Sequence, residues 1–411
     1  MHPRYQLLAT LSSTITLSAG ALVGFQYFHY ARGVFRPKSL ESVFLFVTST
    51  CNSLCRTCFY WDELNQGRDL TFDQLQRISQ TAPAFHKLWI SGGEPFLRKD
   101  LAEIIELFYL NNGMRHVNLP TNGLLPVKVE SVVSYLLERC PQLVVDLNFS
   151  LDGLANTHDA IRGVPNNFVK TLATIRLAEQ KWRGVRRVRR NIVSCVTTEN
   201  YRELIDLGHQ MMREANPDGH YFEIVRGNPM DPTLKRIPRE ELSALHRQLM
   251  WFHEQYADKL FAHLSPAARS FARAYYLGNI KLHFDLHEQN HYSDKAWPMP
   301  CTAGQTTFVI DHDGHFRSCE LRSKLGDLKD YDYNLTAAMQ SAAMKKEVAD
   351  IPGAKCWCTH SCFIHGSSKF SPKAILFHIP WSYLKHRWSR LPSIPSDDLE
   401  PYRVNDAPRA T

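Results

Sequence analysis

Short apolar runs alternate with longer mixed segments between residues 43 and 225. The runs Val43–Val47, Lys87–Ile90, His116–Leu119, Val144–Ser150, Val188–Val196 and Tyr221–Val225 have the length and composition of strands. Between them, Thr71–Thr81, Leu101–Asn111, Lys128–Arg139, Asn167–Gln180 and Tyr201–Glu214 predict helices. Such a βα repeat predicts an α/β fold with a mainly parallel sheet, here an incomplete (β/α)6 barrel or a strongly curved sheet. Ligands in these folds gather beyond the C-terminal ends of the strands. Cys51, Gly92, Thr121, Asp152 and Arg226 each fall just past a predicted strand end, which predicts that they share one rim.

The pattern then changes. Residues 238–276 read as helical, with Trp251, Phe252 and Phe261 available for packing. Thr306–Ile310 and His315–Cys319 flank Asp311-His312-Asp313-Gly314 and predict a β-hairpin. A further helix is expected over Asn334–Glu347, and the Pro-, Ser- and Asp-rich stretch after Ser389 is expected to be mobile. The expected organisation is an apolar helix (1–39), a barrel core (40–235), a helical linker (236–299), a hairpin-and-cysteine unit (300–370) and a partly mobile tail (371–411).

The composition, 44% hydrophobic and 22% charged over 411 residues, describes a folded chain. A net charge of +7 permits an anionic partner without requiring one, and no nucleic-acid module is visible. Between Arg4 and Arg32 there is no Asp, Glu, Lys or Arg, and residues 7–28 are long enough to cross a bilayer. Arg32, Arg36 and Lys38 follow. The segment is therefore expected to be a membrane anchor or interfacial helix that keeps the main domain on the cytoplasmic face, with a helix packed on the folded domain or a processed segment as the alternatives. The basic run Arg183–Arg190 is either a phosphate contact or a solvated strand edge.

Cysteine placement sharpens the picture. Cys51, Cys55 and Cys58 sit in one short loop after the first strand. Three thiolates there can converge on one metal centre and leave the fourth corner of a cuboidal iron–sulfur cluster open to a reactant. Zinc sites usually show two tight ligand pairs, and a redox dithiol needs only CxxC. Five more cysteines follow: Cys301, Cys319, Cys356, Cys358 and Cys362. They suit one iron–sulfur cluster, with or without a spare thiol, or zinc, and are too few for two fully thiolate-ligated clusters. Labile clusters fit a reducing compartment. Cys140 and Cys195 read as buried core thiols.

These residues resemble the radical S-adenosylmethionine (radical SAM) enzymes. Cys51, Cys55 and Cys58 match that family's CX3CX2C motif, although Thr57 stands where an aromatic residue is common. Gly92-Gly93-Glu94-Pro95 matches its GGEP motif, Thr121-Asn122-Gly123 a frequent third-strand ending, and Asn148–Gly153 the ribose-contacting region of the fourth strand. The C-terminal cysteines are similar to a shortened SPASM or twitch domain: Gly314 and Cys319 keep that domain's spacing, while CXCX3C replaces its CX2CX5C.

The resemblance implies S-adenosylmethionine and a [4Fe–4S] cluster on Cys51, Cys55 and Cys58, with one auxiliary [4Fe–4S] cluster among the C-terminal cysteines. It implies reductive cleavage to a 5′-deoxyadenosyl radical that abstracts hydrogen from a substrate. Gly92 and Gly93 would let backbone groups approach the cofactor, Glu94 would meet its amino group, and Pro95 would stiffen the turn. Tyr60, Asn118, Thr121, Ser150, Asp152 and Arg226 are the remaining cofactor-binding candidates, and no catalytic residue is assigned beyond the cluster loop. His360 and His365 are alternate ligands or local polar residues. A reducing donor such as flavodoxin or ferredoxin is the expected partner. The substrate classes are a lipid or membrane-associated molecule, suggested by the apolar segment, or a peptide; the non-enzymatic alternative is a tethered iron–sulfur electron carrier or scaffold.

Overall fold

A computed structural model describes residues 38–293, 295–353 and 356–389. All six predicted strands form, with ends displaced by no more than two residues: β1 (Ser42–Phe46), β2 (Lys87–Ser91), β3 (His116–Thr121), β4 (Val144–Ser150), β5 (Val188–Val196) and β6 (Gly219–Ile224). They pair in parallel, each with its sequence neighbour. The crossovers carry α1 (Phe72–Thr81), α2 (Leu101–Asn112), α3 (Pro126–Arg139), α4 (Ala155–Arg162), α5 (Asn167–Trp182) and α6 (Leu204–Glu214). Helix α1 begins in a capping box, in which Thr71 Oγ1 accepts from Gln74 N and Gln74 Oε1 accepts from Thr71 N. Helix α4 was not expected from the sequence.

The remaining chain closes over this sheet. Residues 238–276 are two long helices rather than one region, and the second runs further: α7 (Arg239–Leu260) and α8 (Pro266–Tyr292). The predicted hairpin forms as β7 (Thr307–Ile310) and β8 (His315–Arg317), followed by the short β9 (Gly326–Asp327). It is not a separate layer. Strand β7 pairs in parallel with β1, so one nine-stranded sheet runs β6-β5-β4-β3-β2-β1-β7-β8-β9. The helix expected over Asn334–Glu347 is broken into α9 (Leu335–Met339) and α10 (Ala342–Asp350), because Ser341 caps a new start by accepting from Met344 N. Helix α11 (Ser361–Ser368), a π-turn (Ala374–His378) and α12 (Ile379–Trp388) follow. Residues 371–389, the first part of the expected tail, are helical over most of their length; residues 390–411, where mobility was expected, lie outside the described residues.

Strand periodicity divides the side chains between two environments. Leu88, Ile90, Val117, Leu119, Val145 and Leu147 enter the core shared with the crossover helices. The alternate positions, among them Lys87, Trp89, His116, Asn118, Asp146, Asn148, Arg189, Asn191 and Glu223, line a cavity of about 1290 Å³. A second apolar cluster, including Phe44, Phe46, Leu282, Leu286, Val309, Phe363 and Ile379, joins the inner face of β1 and β7 to α8, α11 and α12. The inner surface is thus far more polar than the apolar runs suggested.

The segment 7–28 lies outside the described residues, and among those described no helix is long and apolar enough to cross a membrane. The basic run is engaged within the chain. Arg183 Nε donates to Glu179, Arg187 donates to the carbonyls of Leu137 and Cys140, Arg190 pairs with Asp218, and Arg189 lies 3.6 Å from Asp146. These contacts account for four of its arginines without an external phosphate.

Candidate active site

The loop after β1 carries Cys51, Cys55 and Cys58 and is held from three sides. Cys51 N donates to Asn65 Oδ1 at 2.9 Å, and Cys58 N donates to Cys55 O at 3.0 Å. The C-terminal end of α4 accepts Leu54 N on Arg162 O and Arg56 N on Ile161 O. Gly163 ends α4 with φ +64°, and a side chain there would meet Leu54 O at 2.9 Å. On the other side, the carbonyls of Cys58 and Arg56 accept Met230 N and Asp231 N. The Arg56 guanidinium spans Glu199 and Asp231. The three thiols are close enough that charge on Cys51 or Cys55 bears on Cys58. Burial pushes Cys51 up to about 11 and Cys58 up to about 12. Without a cation these thiols stay protonated at neutral pH; a bound metal would supply the missing compensation.

The glycine pair does something other than expected. Gly92 takes φ +117°, and a Cβ on it would lie 2.3 Å from Thr48 O. A Cβ on Gly93 would lie 2.1 Å from Thr50 O. Both glycines therefore let the turn after β2 press on the cysteine loop, where Gly93 N donates to Thr48 O and Glu94 N to Thr50 O. Glu94 is buried and accepts from Asn122 N (2.7 Å), Thr121 Oγ1 (3.0 Å) and Phe96 N (3.2 Å). Burial nevertheless raises its carboxyl to about 7. Asn122 Nδ2 donates to Asn52 and Ser53, tying the third strand end to the same loop. Pro95 opens the short 3₁₀ turn that follows.

Other candidates separate into open and engaged groups. Asn118 and Ser150 line the cavity. Thr121 is committed to Glu94. Tyr60 is buried at the cavity wall and its hydroxyl bonds His312 Nδ1 at 2.7 Å. Asp152 is fully buried; its Oδ1 accepts from Cys195 N at 2.8 Å, and its Oδ2 lies 2.7 Å from Arg162 Nε. Oδ1 is thus engaged by the backbone, Oδ2 faces the Arg162 guanidinium, and the residue lines the cavity. Arg226 is half-buried over the Phe59 ring and 4.0 Å from Glu320, not turned to solvent.

Arg162 escaped the sequence reading, Asn122 entered it only as part of the third-strand motif, and Cys195 entered it as a core thiol. Arg162 Nη1 donates to Cys55 Sγ at 3.5 Å. Cys195, expected in the core, instead lines the cavity. Deeper along the sheet, Asp146 meets His116 at 2.6 Å, Lys87 at 3.5 Å and Arg189 at 3.6 Å. Burial alone would raise that carboxyl, but Lys87, the His116 hydrogen bond and Arg189 together outweigh it and hold it well below the usual range.

The C-terminal cysteines divide. Charge on Cys356 bears on Cys301, Cys301 and Cys358 bear on Cys319, and Cys301 and Cys356 bear on Cys358. Cys362 instead faces Glu223, Arg226 and Glu320 and lines the main cavity. His360 pairs with Glu320, and its backbone N–H donates to Cys358 Sγ at 3.4 Å; His365 Nδ1 bonds Asn279 at 3.0 Å. Tetrahedral zinc, with Zn–S of ~2.3 Å, would need thiolates about 4 Å apart. Among the described residues, no three cysteine sulfurs lie within 4.8 Å of one another. Glu63, His312 and Asp313 do, but Lys324 Nζ already sits 2.8 Å from Glu63 and 3.6 Å from Asp313.

Residues 45–209 match the family model of the Radical SAM superfamily. A GTP 3',8-cyclase of Haemophilus ducreyi is 32% identical over 120 residues, which are 27% of this chain and 32% of that protein. The molybdenum cofactor biosynthesis protein moc-5 of Caenorhabditis elegans is 23% identical over 370 residues, 83% of this chain and 56% of that one. The chain thus spans about a third of the first relative's length and a little over half of the second's. A solved structure of histidine-tagged anSMEcpe with bound AdoMet shares the fold, with a TM-score of 0.54 at 18% identity over 84% of this chain and 95% of that one. The family match covers the segment that builds the cysteine loop, the glycine turn and most of the parallel sheet, so residues 45–209 form a domain of the radical SAM superfamily, whose enzymes use S-adenosylmethionine and a [4Fe–4S] cluster.

Proposed function

We propose that this chain is a radical SAM oxidoreductase or maturase that abstracts a hydrogen atom from a substrate held in the central cavity. The supporting observation is convergence: Cys51, Cys55, Cys58, Gly92–Pro95, Asn118 and Ser150 border one cavity of about 1290 Å³. We read the six parallel strands as a partial (β/α)6 barrel. Residues 300–370 are the SPASM/twitch-like unit, with an auxiliary [4Fe–4S] cluster on Cys301, Cys319, Cys356 and Cys358. Cys51, Cys55 and Cys58 are the ligands of the N-terminal cluster. Glu94 accepts from the amino group of S-adenosylmethionine, and Asn118 and Ser150 are the hydrogen-bonding groups open to its ribose. When bound, the reduced cluster and S-adenosylmethionine supply a hydrogen-abstracting carbon radical. The protein orients both reactants and keeps bulk water away.

The opposite wall joins aromatic side chains of α8, such as Phe271, Tyr275 and Phe284, to Asn279, His283 and His287. His283 and His287 are buried, and burial holds both imidazoles below their usual range, so both are neutral. Unpartnered polar atoms remain at His283 Nε2, His287 Nδ1 and Asn279 Oδ1. Such a wall suits an apolar body carrying several hydrogen-bonding groups. We therefore place a polar small molecule or a peptide segment ahead of a lipid. The relatives named as GTP 3',8-cyclases admit a nucleotide within the first class. A flavodoxin- or ferredoxin-like protein would deliver the electron.

Anaerobic reconstitution with iron and sulfide, followed by reduction in the presence of S-adenosylmethionine, is expected to release 5′-deoxyadenosine. No release under several reducing systems would leave only the electron-carrier or scaffold reading. Glu94 gives a second expectation. Its carboxyl, raised to about 7 by burial, must ionise to accept fully from a cationic amino group. Affinity for S-adenosylmethionine should strengthen roughly tenfold between pH 6 and pH 8, because the competent fraction rises through that window. Glu94→Gln should weaken binding and flatten the profile; equal pH slopes in anaerobic binding titrations of both proteins would remove Glu94 from this role.

A further inference from the structure

The fifth C-terminal cysteine stands apart from the other four. Cys301, Cys319, Cys356 and Cys358 bear on one another, and none of them lines the central cavity. Cys362 lines it, on the first turn of α11, where its electrostatic neighbours are Glu223, Arg226 and Glu320. Four thiols already complete a cubane, so the fifth is free for other work. It is placed in a site built for a ligand. Ser361, beside it, bonds buried His287, whose other ring nitrogen is unpartnered, and His287 lines the same cavity. Glu223 Oε2 is also without a partner.

Resting on the function proposed above, we infer that Cys362 is a catalytic thiol that returns a hydrogen atom to the substrate radical. Hydrogen abstraction leaves a carbon-centred radical in the cavity. The S–H bond of Cys362 then breaks, a C–H bond forms on the substrate, and the odd electron remains on the Cys362 sulfur. One electron from an iron–sulfur or flavin reductant and one proton restore the thiol. Glu223, which lines the same cavity and acts on Cys362, is a carboxyl available for that proton. The substrate undergoes no net oxidation at this carbon; one S-adenosylmethionine, two electrons and one proton are consumed per turnover. The product is an inverted or rearranged carbon centre, in contrast to a dehydrogenated one. The position also fits electron return, because Arg226 lies beside Glu320, Glu320 pairs with His360, and the His360 backbone N–H reaches Cys358 Sγ.

The reconstituted full chain tests this by three readouts. Iron and sulfide in Cys362→Ala and Cys362→Ser should equal the wild-type amounts, whereas Cys358→Ala should lose about four irons. Iodoacetamide mapping of the wild-type holoprotein without S-adenosylmethionine should label Cys362 and spare Cys301, Cys319, Cys356 and Cys358 until iron is removed. Turnover of anaerobic cell extract in D₂O should give a product with one solvent deuterium on carbon, lost in Cys362→Ala. Loss of about four irons in both Cys362 variants, or protection of Cys362 together with the other four, would make it a cluster ligand and overturn the inference. A product without solvent deuterium would do the same. Failure of the wild type to release 5′-deoxyadenosine would instead strike the proposed function, and the iron count and labelling map would still decide the state of Cys362.

Discussion

Replacing Cys55 by alanine should abolish release of 5′-deoxyadenosine while leaving about four of about eight irons bound. The reason is the isolation of the two thiol groups. Cys55 belongs to a loop fixed by β1, by the end of α4 and by the segment around Met230. The other four thiols hang on the hairpin and the segment before α11. Two remaining thiolates cannot hold a three-thiolate cubane against loss of iron, and the loop offers no substitute ligand. Activity should fall at least ~10³-fold, since the residues left behind supply only binding and orientation. Cys358→Ala is the complementary control and should retain the N-terminal cluster. Iron and sulfide counts with low-temperature electron paramagnetic resonance of the reduced proteins separate these outcomes. A Cys55→Ala protein that loses all its iron would show that the two centres do not assemble independently.

The legible part of this chain was the part written in local pattern. Apolar runs located six strands, and CX3CX2C with GGEP located the cluster loop and the turn beside it. What stayed hidden depends on the third dimension. The inner face of the sheet is polar because Asp146, Asn148, Arg189 and Asn191 recur at every second position within runs that otherwise read as core. Helix α4 is short and polar on one side, and it lies between a glycine turn and Gly163, so its residues resemble a loop. Its last residue, Arg162, nevertheless donates to Cys55 Sγ. Gly92 and Gly93 were singled out for close approach to the cofactor, and in the fold the neighbour they accommodate is the backbone of Thr48 and Thr50, which no spacing rule identifies. Cys362 was grouped with Cys356 and Cys358 by proximity in sequence. Helix α11 begins at Ser361 and carries Cys362 at the wall of the central cavity, which Cys356 and Cys358 do not line.

Arg162→Met should destabilise the protein by about 3–5 kcal/mol, the cost of breaking a buried pair and stranding its charge. The Asp152 side chain is fully enclosed, and the Arg162 side chain retains only 13% of its exposure. Without the guanidinium, Asp152 Oδ2 faces the interior with no donor, while Oδ1 keeps the Cys195 N–H. Methionine fills much of the lost volume, so the loss reports charge more than packing. Arg162→Lys keeps the charge but cannot reach Asp152 and Cys55 through separate nitrogens, so it should recover only part of the stability. The diagnostic variant is Arg162→Met combined with Asp152→Asn, which removes both charges. It should regain roughly 1–3 kcal/mol relative to Arg162→Met alone, a coupling typical of residues in direct contact. Anaerobic urea unfolding followed by circular dichroism measures these variants, the wild type and Asp152→Asn alone, which closes the double-mutant cycle, on one scale. Additive losses in that cycle would mean that the ion pair contributes no coupling. The second consequence concerns the loop: Arg162 Nη1 touches Cys55 Sγ, so the paramagnetic signal of the N-terminal cluster should shift in Arg162→Met even where its iron content is unchanged.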